Sequence, residues 1–166
     1  MELPQGLPSS GIHGWVYANR DEPIILEEPE SDNDVIDEGK WMLFYPKGDM
    51  DARWLEACER LQFGEFGVVN EMKASTFGHN FSSTKPKGVI VLYIQRAKKA
   101  VVMDTGRIVM EAMQYNDTMF YKTNRQTRDE YQAFERREDA SHLKKHALQL
   151  TPEYKFAWGD EECLHT

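Results

Sequence analysis

The chain has 166 residues, of which 40% are hydrophobic and 29% charged, a balance typical of one folded domain with its own core. Its two cysteines, Cys58 and Cys163, lack the spacing of a zinc site or of a disulfide framework. No apolar run approaches the roughly 18 residues that a membrane-spanning helix needs. We therefore expect a cytoplasmic protein, with the nucleus as a second location and without a membrane partner.

The net charge of −8 is unevenly distributed. Residues 1–40 contain 10 acidic and 2 basic side chains, whereas residues 66–125 contain 9 basic and 4 acidic ones. Charges act over a screening length of about 8 Å at physiological salt, so a ligand responds to the local balance. An anionic partner is therefore expected at the middle of the chain.

Residues 1–40 are predicted to be an acidic, largely flexible segment. Trp15 and Tyr17 are too apolar for a solvated tail, and we expect them to dock on the domain. Ser31 has acids at positions +1 and +3, which makes it a phosphorylation candidate that would gain roughly 1.5 to 2 negative charges. Two interpretations remain open: a solubilising segment, or one that folds back over basic strands and competes with anions.

Residues 41–150 are predicted to form a single α+β domain. Trp41–Tyr45 reads as a strand, and Trp54, Cys58 and Leu61 share one face of the helix that follows it. Further strands are expected over 68–76, 88–94 and 118–122, with helices over about 98–115, after a capping box at 127–130, and over about 139–148. The order favours a curved, mainly antiparallel sheet with helices on one face. Residues 151–166 form a tail that we expect to dock in part.

Several stretches of residues 39–125 carry a family resemblance. WMLFYPKGDMDARWLEACERLQFGEFGVVNEMKAST, then GVIVLYI and MFYKT, are similar to the uncharacterised family of the basophilic-leukaemia-expressed protein. The resemblance implies a fold like that of the messenger-RNA cap-binding translation initiation factor. It implies no established activity.

The cap-binding factor suggests a test of individual residues. It stacks the cap on a Trp thirteen residues after a strand Trp, and Trp54 stands thirteen residues after Trp41. A methylated guanine between two aromatic faces gains dispersion and cation–π attraction. The factor's second Trp, followed by Glu, has no counterpart, since Phe77 and Phe81 occupy that region and no acid lies between Glu71 and Asp104. Trp54, Phe77 and Phe81 are therefore stacking candidates, with a core role for Trp54 as the alternative.

A basic set on or beside the predicted strands is the second candidate site. Lysine, arginine and hydroxyl groups are what phosphate recognition requires. The alternative is a solvated sheet edge, where lysines prevent edge pairing. The candidates are Lys73, Ser75, Thr76, Lys85, Lys87, Lys122 and Arg125.

No catalytic signature, metal-ligand set or cofactor motif is apparent, so we expect no catalytic residue, no metal and no cofactor. The sequence favours a non-enzymatic protein that binds a nucleotide, RNA end or phosphate on a basic concave sheet face. A protein-protein interaction module without a nucleic-acid ligand is the alternative.

Overall fold

The computed structural model describes residues 6–12, 14–78, 86–137 and 146–158. A short 3-10 turn, Lys47–Asp49, precedes the first helix. The elements, in chain order, are β1 (Trp15–Asn19), β2 (Val35–Ile36), β3 (Gly39–Pro46), α1 (Met50–Gln62), β4 (Glu71–Ser75), β5 (Lys87–Ile94), β6 (Ala97–Lys98), α2 (Lys99–Ala112), β7 (Met119–Thr123), α3 (Asn124–Glu135), β8 (Leu148–Leu150) and β9 (Phe156–Trp158).

Within the described ranges, seven strands form one sheet in the order β1-β4-β5-β3-β7-β8-β9, and β2 pairs with β6 in a two-stranded ribbon. Every neighbouring pair is antiparallel. The longest strands, β3 and β5, lie at the centre, as their apolar runs predict. This architecture confirms the predicted α+β class and its mainly antiparallel sheet.

The main core lies between the sheet and helices α1 and α2. In β3 the side chains of Trp41, Leu43 and Tyr45 point toward these helices and are buried. The indole nitrogen of Trp41 donates to the Val102 carbonyl of α2 at 3.0 Å. Gly106 lies against the same indole, so the glycine that weakens α2 by propensity is needed for close packing.

Gly106→Ala is expected to destabilise the domain by about 1–3 kcal/mol, although alanine is the better helix former. A Cβ at this position would lie 2.7 Å from Cζ2 of Trp41, which is fixed in the core. Urea unfolding would measure the change, with Gly48→Ala as the control, because a Cβ there meets nothing within 4 Å. An unchanged or raised unfolding free energy would contradict this packing.

The third helix begins earlier than its sequence predicted. The side chain of Thr123 accepts from the Gln126 amide, and the Gln126 side chain accepts from the Thr123 amide. The capping box is therefore at 123–126, not at 127–130. Unlike α1 and α2, α3 contacts side chains on the opposite face of the sheet.

The sheet extends beyond the predicted domain limits at both ends. β1 forms one edge of the sheet through its pairing with β4, so residues 15–19 dock as expected, but as a strand. β9 forms the other edge, which brings Phe156 and Trp158 of the tail into the fold. The helix predicted over 139–148 overlaps strand β8 at Leu148. Residues 139–145 of that prediction and tail residues 159–166 lie outside the described residues.

Candidate functional site

Three lysines from neighbouring parts of the sheet lie on the face opposite α1 and α2. Because side chains alternate along a strand, the burial of Trp41, Met72 and Tyr121 on one face places Lys40, Lys73 and Lys122 on the other. Lys40 pairs directly with Lys122 on one side and with Tyr93 on the other. Lys73 lies two strands away from Lys40. The spacing of strands and residues gives about 12 Å between the Cα atoms of these two lysines. We call Lys40, Lys73 and Lys122 the lysine cluster.

Lys40 is the most buried member, with only 8% of its surface exposed. Its ammonium donates to Oγ1 of Thr127 at 2.6 Å and to Oδ1 of Asn124 at 3.4 Å. Burial is the main cause that lowers the pKa of Lys40 from 10.5 to about 8, and repulsion by Lys73 and Lys122 adds to it. Glu130 acts in the opposite direction. Burial therefore accounts for most of the lowered pKa, and the two neighbouring ammonium groups add a smaller electrostatic part.

Aromatic rings surround Lys73. Its ammonium lies 3.8 Å from the centroid of the Trp15 ring and 5.7 Å from that of Tyr93. Tyr17 lies directly opposite Lys73 in the β1–β4 register and is 53% exposed. Cation–π attraction holds the ammonium beside the rings without neutralising its charge.

Lys122 is the member with a carboxylate partner. Its ammonium lies 2.5 Å from Oε2 of Glu130, and both side chains are largely shielded from solvent. A groove of about 270 Å³ lies close by, between Tyr93, Glu38, Glu71 and Asn124. One region thus combines ammonium donors, an aromatic wall and carboxylate acceptors.

The other predicted phosphate ligands do not join the cluster. Ser75 shares the face with Lys73, but its Oγ accepts from the Val89 amide, and Thr76 is buried. Lys87 is six residues along β5 from Tyr93, about 20 Å away. Arg125 is exposed on α3, 3.9 Å from Asp129. Lys85 lies outside the described residues.

Trp54 cannot stack on a ligand in this conformation. Its side chain has 0% exposure in the core under α1, which corrects the stacking prediction. In the part of the chain that the structure describes, its ring nitrogen has no hydrogen-bond partner. The helical stripe with Cys58 and Leu61 accounts for this position. Phe77 is half-buried and packs against the core, with Lys47 5.7 Å from its centroid. Phe81 lies outside the described residues.

Three important residues escaped the prediction. The sequence pattern places Lys40 in the acidic segment, whereas it belongs to the strand of the apolar run that follows it. Tyr93 lies in the predicted strand 88–94 but is not among the candidate residues, although its position on the strand is partly open to solvent. Trp15 was expected to dock, but its role beside Lys73 depends on the pairing of β1 with β4, which local sequence does not encode.

The acidic segment contacts a basic residue outside the lysine cluster. Arg96 lies 3.7 Å from Glu28 and also pairs with Asp32. Ser31, next to Asp32, is exposed and borders a groove of about 640 Å³ with Lys98. The segment therefore does fold back, but onto the turn between β5 and β6.

Other chemistry finds little support in the described parts of the chain. Burial raises the pKa of the Cys58 thiol to about 12, which disfavours a nucleophilic thiolate. Within the described ranges, no group of three His, Cys, Asp or Glu side chains is placed to hold a metal ion. The described helices include none that is long and apolar enough to cross a membrane.

No family model matches the chain, and no curated protein matches it. Among solved structures, C. elegans eIF4E-3 in complex with the 4E-binding protein Mextli and a cap analog is similar, with a TM-score of 0.52, 14% identity, and coverage of 74% of this chain and 70% of that one. Ascaris suum eIF4E-3 with an m2,2,7G cap has a TM-score of 0.47 and 15% identity, covering 67% of this chain. This chain spans 63% of the Ascaris factor's length. At such identities the likeness shows the fold alone: the chain has an eIF4E-like α+β fold.

Proposed function

We propose that the protein is a non-enzymatic binding protein that holds a nucleotide or RNA end through its phosphates on the lysine cluster. The observation that carries the proposal is the placement of Lys40, which is buried, between Lys73 and Lys122 on one face of the sheet. A fold gains no stability by gathering three ammonium groups on one sheet face. An anionic ligand would supply the missing negative charge.

The surroundings of the cluster suit a nucleotide more than a bare anion. Tyr93 and Trp15 offer aromatic surface for a base beside Lys73. Glu38 and Glu71 border the adjacent groove and can accept from the N–H groups of a base edge. These roles replace the earlier stacking candidate Trp54, which is buried.

The eIF4E-3 neighbours were solved with cap ligands, and capped RNA is accordingly one ligand to test. The lysine cluster is compatible with that ligand, but the cap-stacking role of Trp54 is not. We also propose that the chain belongs to the basophilic-leukaemia-expressed protein family, on the basis of the resemblance in residues 39–125 alone.

The proposal predicts binding of a 5′-triphosphorylated RNA or a nucleoside triphosphate that weakens steeply with salt. Two or three phosphates neutralised by lysine imply a loss of roughly tenfold in affinity between 50 and 200 mM salt. Lys73→Ala and Lys122→Ala should each weaken binding and reduce this salt slope, because each removes one ammonium–phosphate contact. Fluorescence titration at several salt concentrations measures both quantities.

Lys155→Ala provides the matched control, because Lys155 is an exposed lysine on the distant β8–β9 turn. It should leave the affinity unchanged. If cap analogues, nucleoside triphosphates and short RNAs all fail to bind the wild-type protein at low salt, the proposed function is wrong.

Binding of a protein partner is the second candidate function, and it is supported by exposed apolar side chains on the helical side of the sheet. Leu55 and Phe63 near α1 and Ile108 on α2 expose large apolar side chains, with Phe63 68% exposed. Exposed apolar side chains mark protein contacts where they form one continuous patch. A partner whose binding is lost in Leu55→Ser and Ile108→Ser, but kept in Lys73→Ala, would favour this function.

A further inference from the structure

The carboxylate of Glu130 contacts the lysine cluster through one of its two oxygen atoms. Its Oε2 contacts the Lys122 ammonium at 2.5 Å, whereas its Oε1 is buried without a hydrogen-bond partner among the described residues. A buried acceptor that lacks a donor costs folding free energy. A group with more oxygen atoms, placed at the same point, could use the donors that the two carboxylate oxygens leave idle.

The helix that carries Glu130 also covers Lys40. Thr127 and Asn124 of α3 accept the two hydrogen bonds that the Lys40 ammonium makes with its neighbours. An ammonium has three N–H donors, so one remains for a further acceptor. The same face of α3 thus supplies the groups that contact both paired lysines.

α3 is held less firmly than the other two helices. Its buried residues are Gln126 and Ala133, whereas α1 and α2 each bury five. Its outer side exposes Tyr131 and Phe134. Local opening is easiest where little apolar surface is buried, so α3 can shift at lower cost than α1 or α2.

We propose that Glu130 marks the position of a ligand phosphate, and that α3 acts as an internal competitor whose carboxylate the ligand displaces. The inference rests on the proposed function and specifies its site. The ligand is a phosphate ester or a terminal pyrophosphate group, which presents at least three oxygens to Lys40 and Lys122 where the carboxylate presents one. In the closed state the Glu130 carboxylate occupies the ligand position. The apparent affinity is therefore the intrinsic affinity multiplied by the fraction of molecules in which this position is open.

Glu130→Gln is the decisive variant, because it keeps the side-chain shape and removes the charge. Inorganic pyrophosphate should bind this variant about tenfold more tightly than the wild-type protein, if the closed state holds roughly nine-tenths of the molecules. Isothermal titration calorimetry of the full chain at pH 7 and low salt measures both affinities.

Asp129→Asn is the matched control. It removes one negative charge from the adjacent position on α3, where Asp129 lies 3.9 Å from Arg125. General electrostatic attraction would tighten pyrophosphate binding equally in both variants, whereas displacement of a competitor tightens it only in Glu130→Gln. Equal tightening in the two variants would overturn the inference.

Hydrogen exchange gives an independent test of displacement. Saturating pyrophosphate should speed amide exchange over residues 127–135 of the wild-type protein, because α3 loses the contact between Glu130 and Lys122. Protection of these amides would overturn the inference even if binding occurs. If neither the wild-type protein nor Glu130→Gln binds any of the phosphate ligands tested, both the proposed function and this inference are wrong; binding that Glu130→Gln fails to tighten overturns the inference alone.

Discussion

Replacement of Lys40 by methionine is expected to stabilise the folded domain at pH 7 and to abolish its affinity for phosphate ligands. Burial and two neighbouring lysines lower the pKa of Lys40 from 10.5 to about 8. At pH 7 Lys40 is charged in both states, and its charge costs more free energy in the folded chain than in the unfolded chain. The shift corresponds to about 3 kcal/mol, and the loss of two hydrogen bonds offsets about half of this gain. We expect a net gain of about 1–2 kcal/mol.

The sign of the pH dependence provides a second check. Below pH 8 Lys40 is charged in both states and its unfavourable contribution is complete. Between pH 8 and 10.5 the unfolded chain binds more protons, so the stability of the wild-type protein rises with pH relative to the variant. Urea unfolding at pH 7 and pH 10 should therefore show a gap between the two proteins that narrows at the higher pH.

Lys155→Met controls for the general effect of removing a surface lysine, and it should change stability by less than about 0.5 kcal/mol. A Lys40→Met protein that is less stable than the wild type would show that the buried ammonium is already well neutralised. In that event the charge argument for a ligand would fail.

Trp54→Ala is expected to destabilise the domain by about 3–5 kcal/mol, because it empties a fully buried site under α1. Trp54→Phe should cost much less, since it retains most of the ring and removes an indole N–H that has no partner. Thermal or urea unfolding distinguishes the two. Phe63→Ala, at an exposed position just after α1, is the control.

Ligand binding by Trp54→Phe tests the role of this residue directly. A core tryptophan predicts that the folded variant binds phosphate ligands as tightly as the wild-type protein. Loss of binding in a stably folded Trp54→Phe protein would instead place the indole in contact with the ligand and restore its stacking role.

Most of the fold could be predicted from the sequence because its signals are local. The apolar stripe of α1 predicts both the helix and its inward face, and the apolar runs of β3 and β5 predict two strands. The places of β1 and β9 could not be predicted in this way. Edge strands are short and pair with residues far away in sequence, so tertiary contacts decide them.

The candidate site was predicted only in part, for the same reason. The charge of Lys73 and Lys122 and their positions on strands predict a basic site, and the structure places both on one face of the sheet. Lys40 was missed because nothing local shows that it would lie buried between them. Its burial results from the order of the strands and from α3, whose start depends on a capping box at Thr123 that was predicted four residues too late.

The edge strand β1 also changes the physical nature of the acidic segment. Because Trp15–Asn19 is paired in the sheet and β2 resumes at Val35, residues 20–34 form a closed loop tethered at both ends. Tethering keeps these carboxylates near the domain at an effective concentration in the millimolar range, independent of how dilute the protein is. A single peptide-bond cleavage within residues 25–33 would leave β1 attached by hydrogen bonds and packing alone, and its dissociation would uncover β4 and release the Trp15 ring from Lys73.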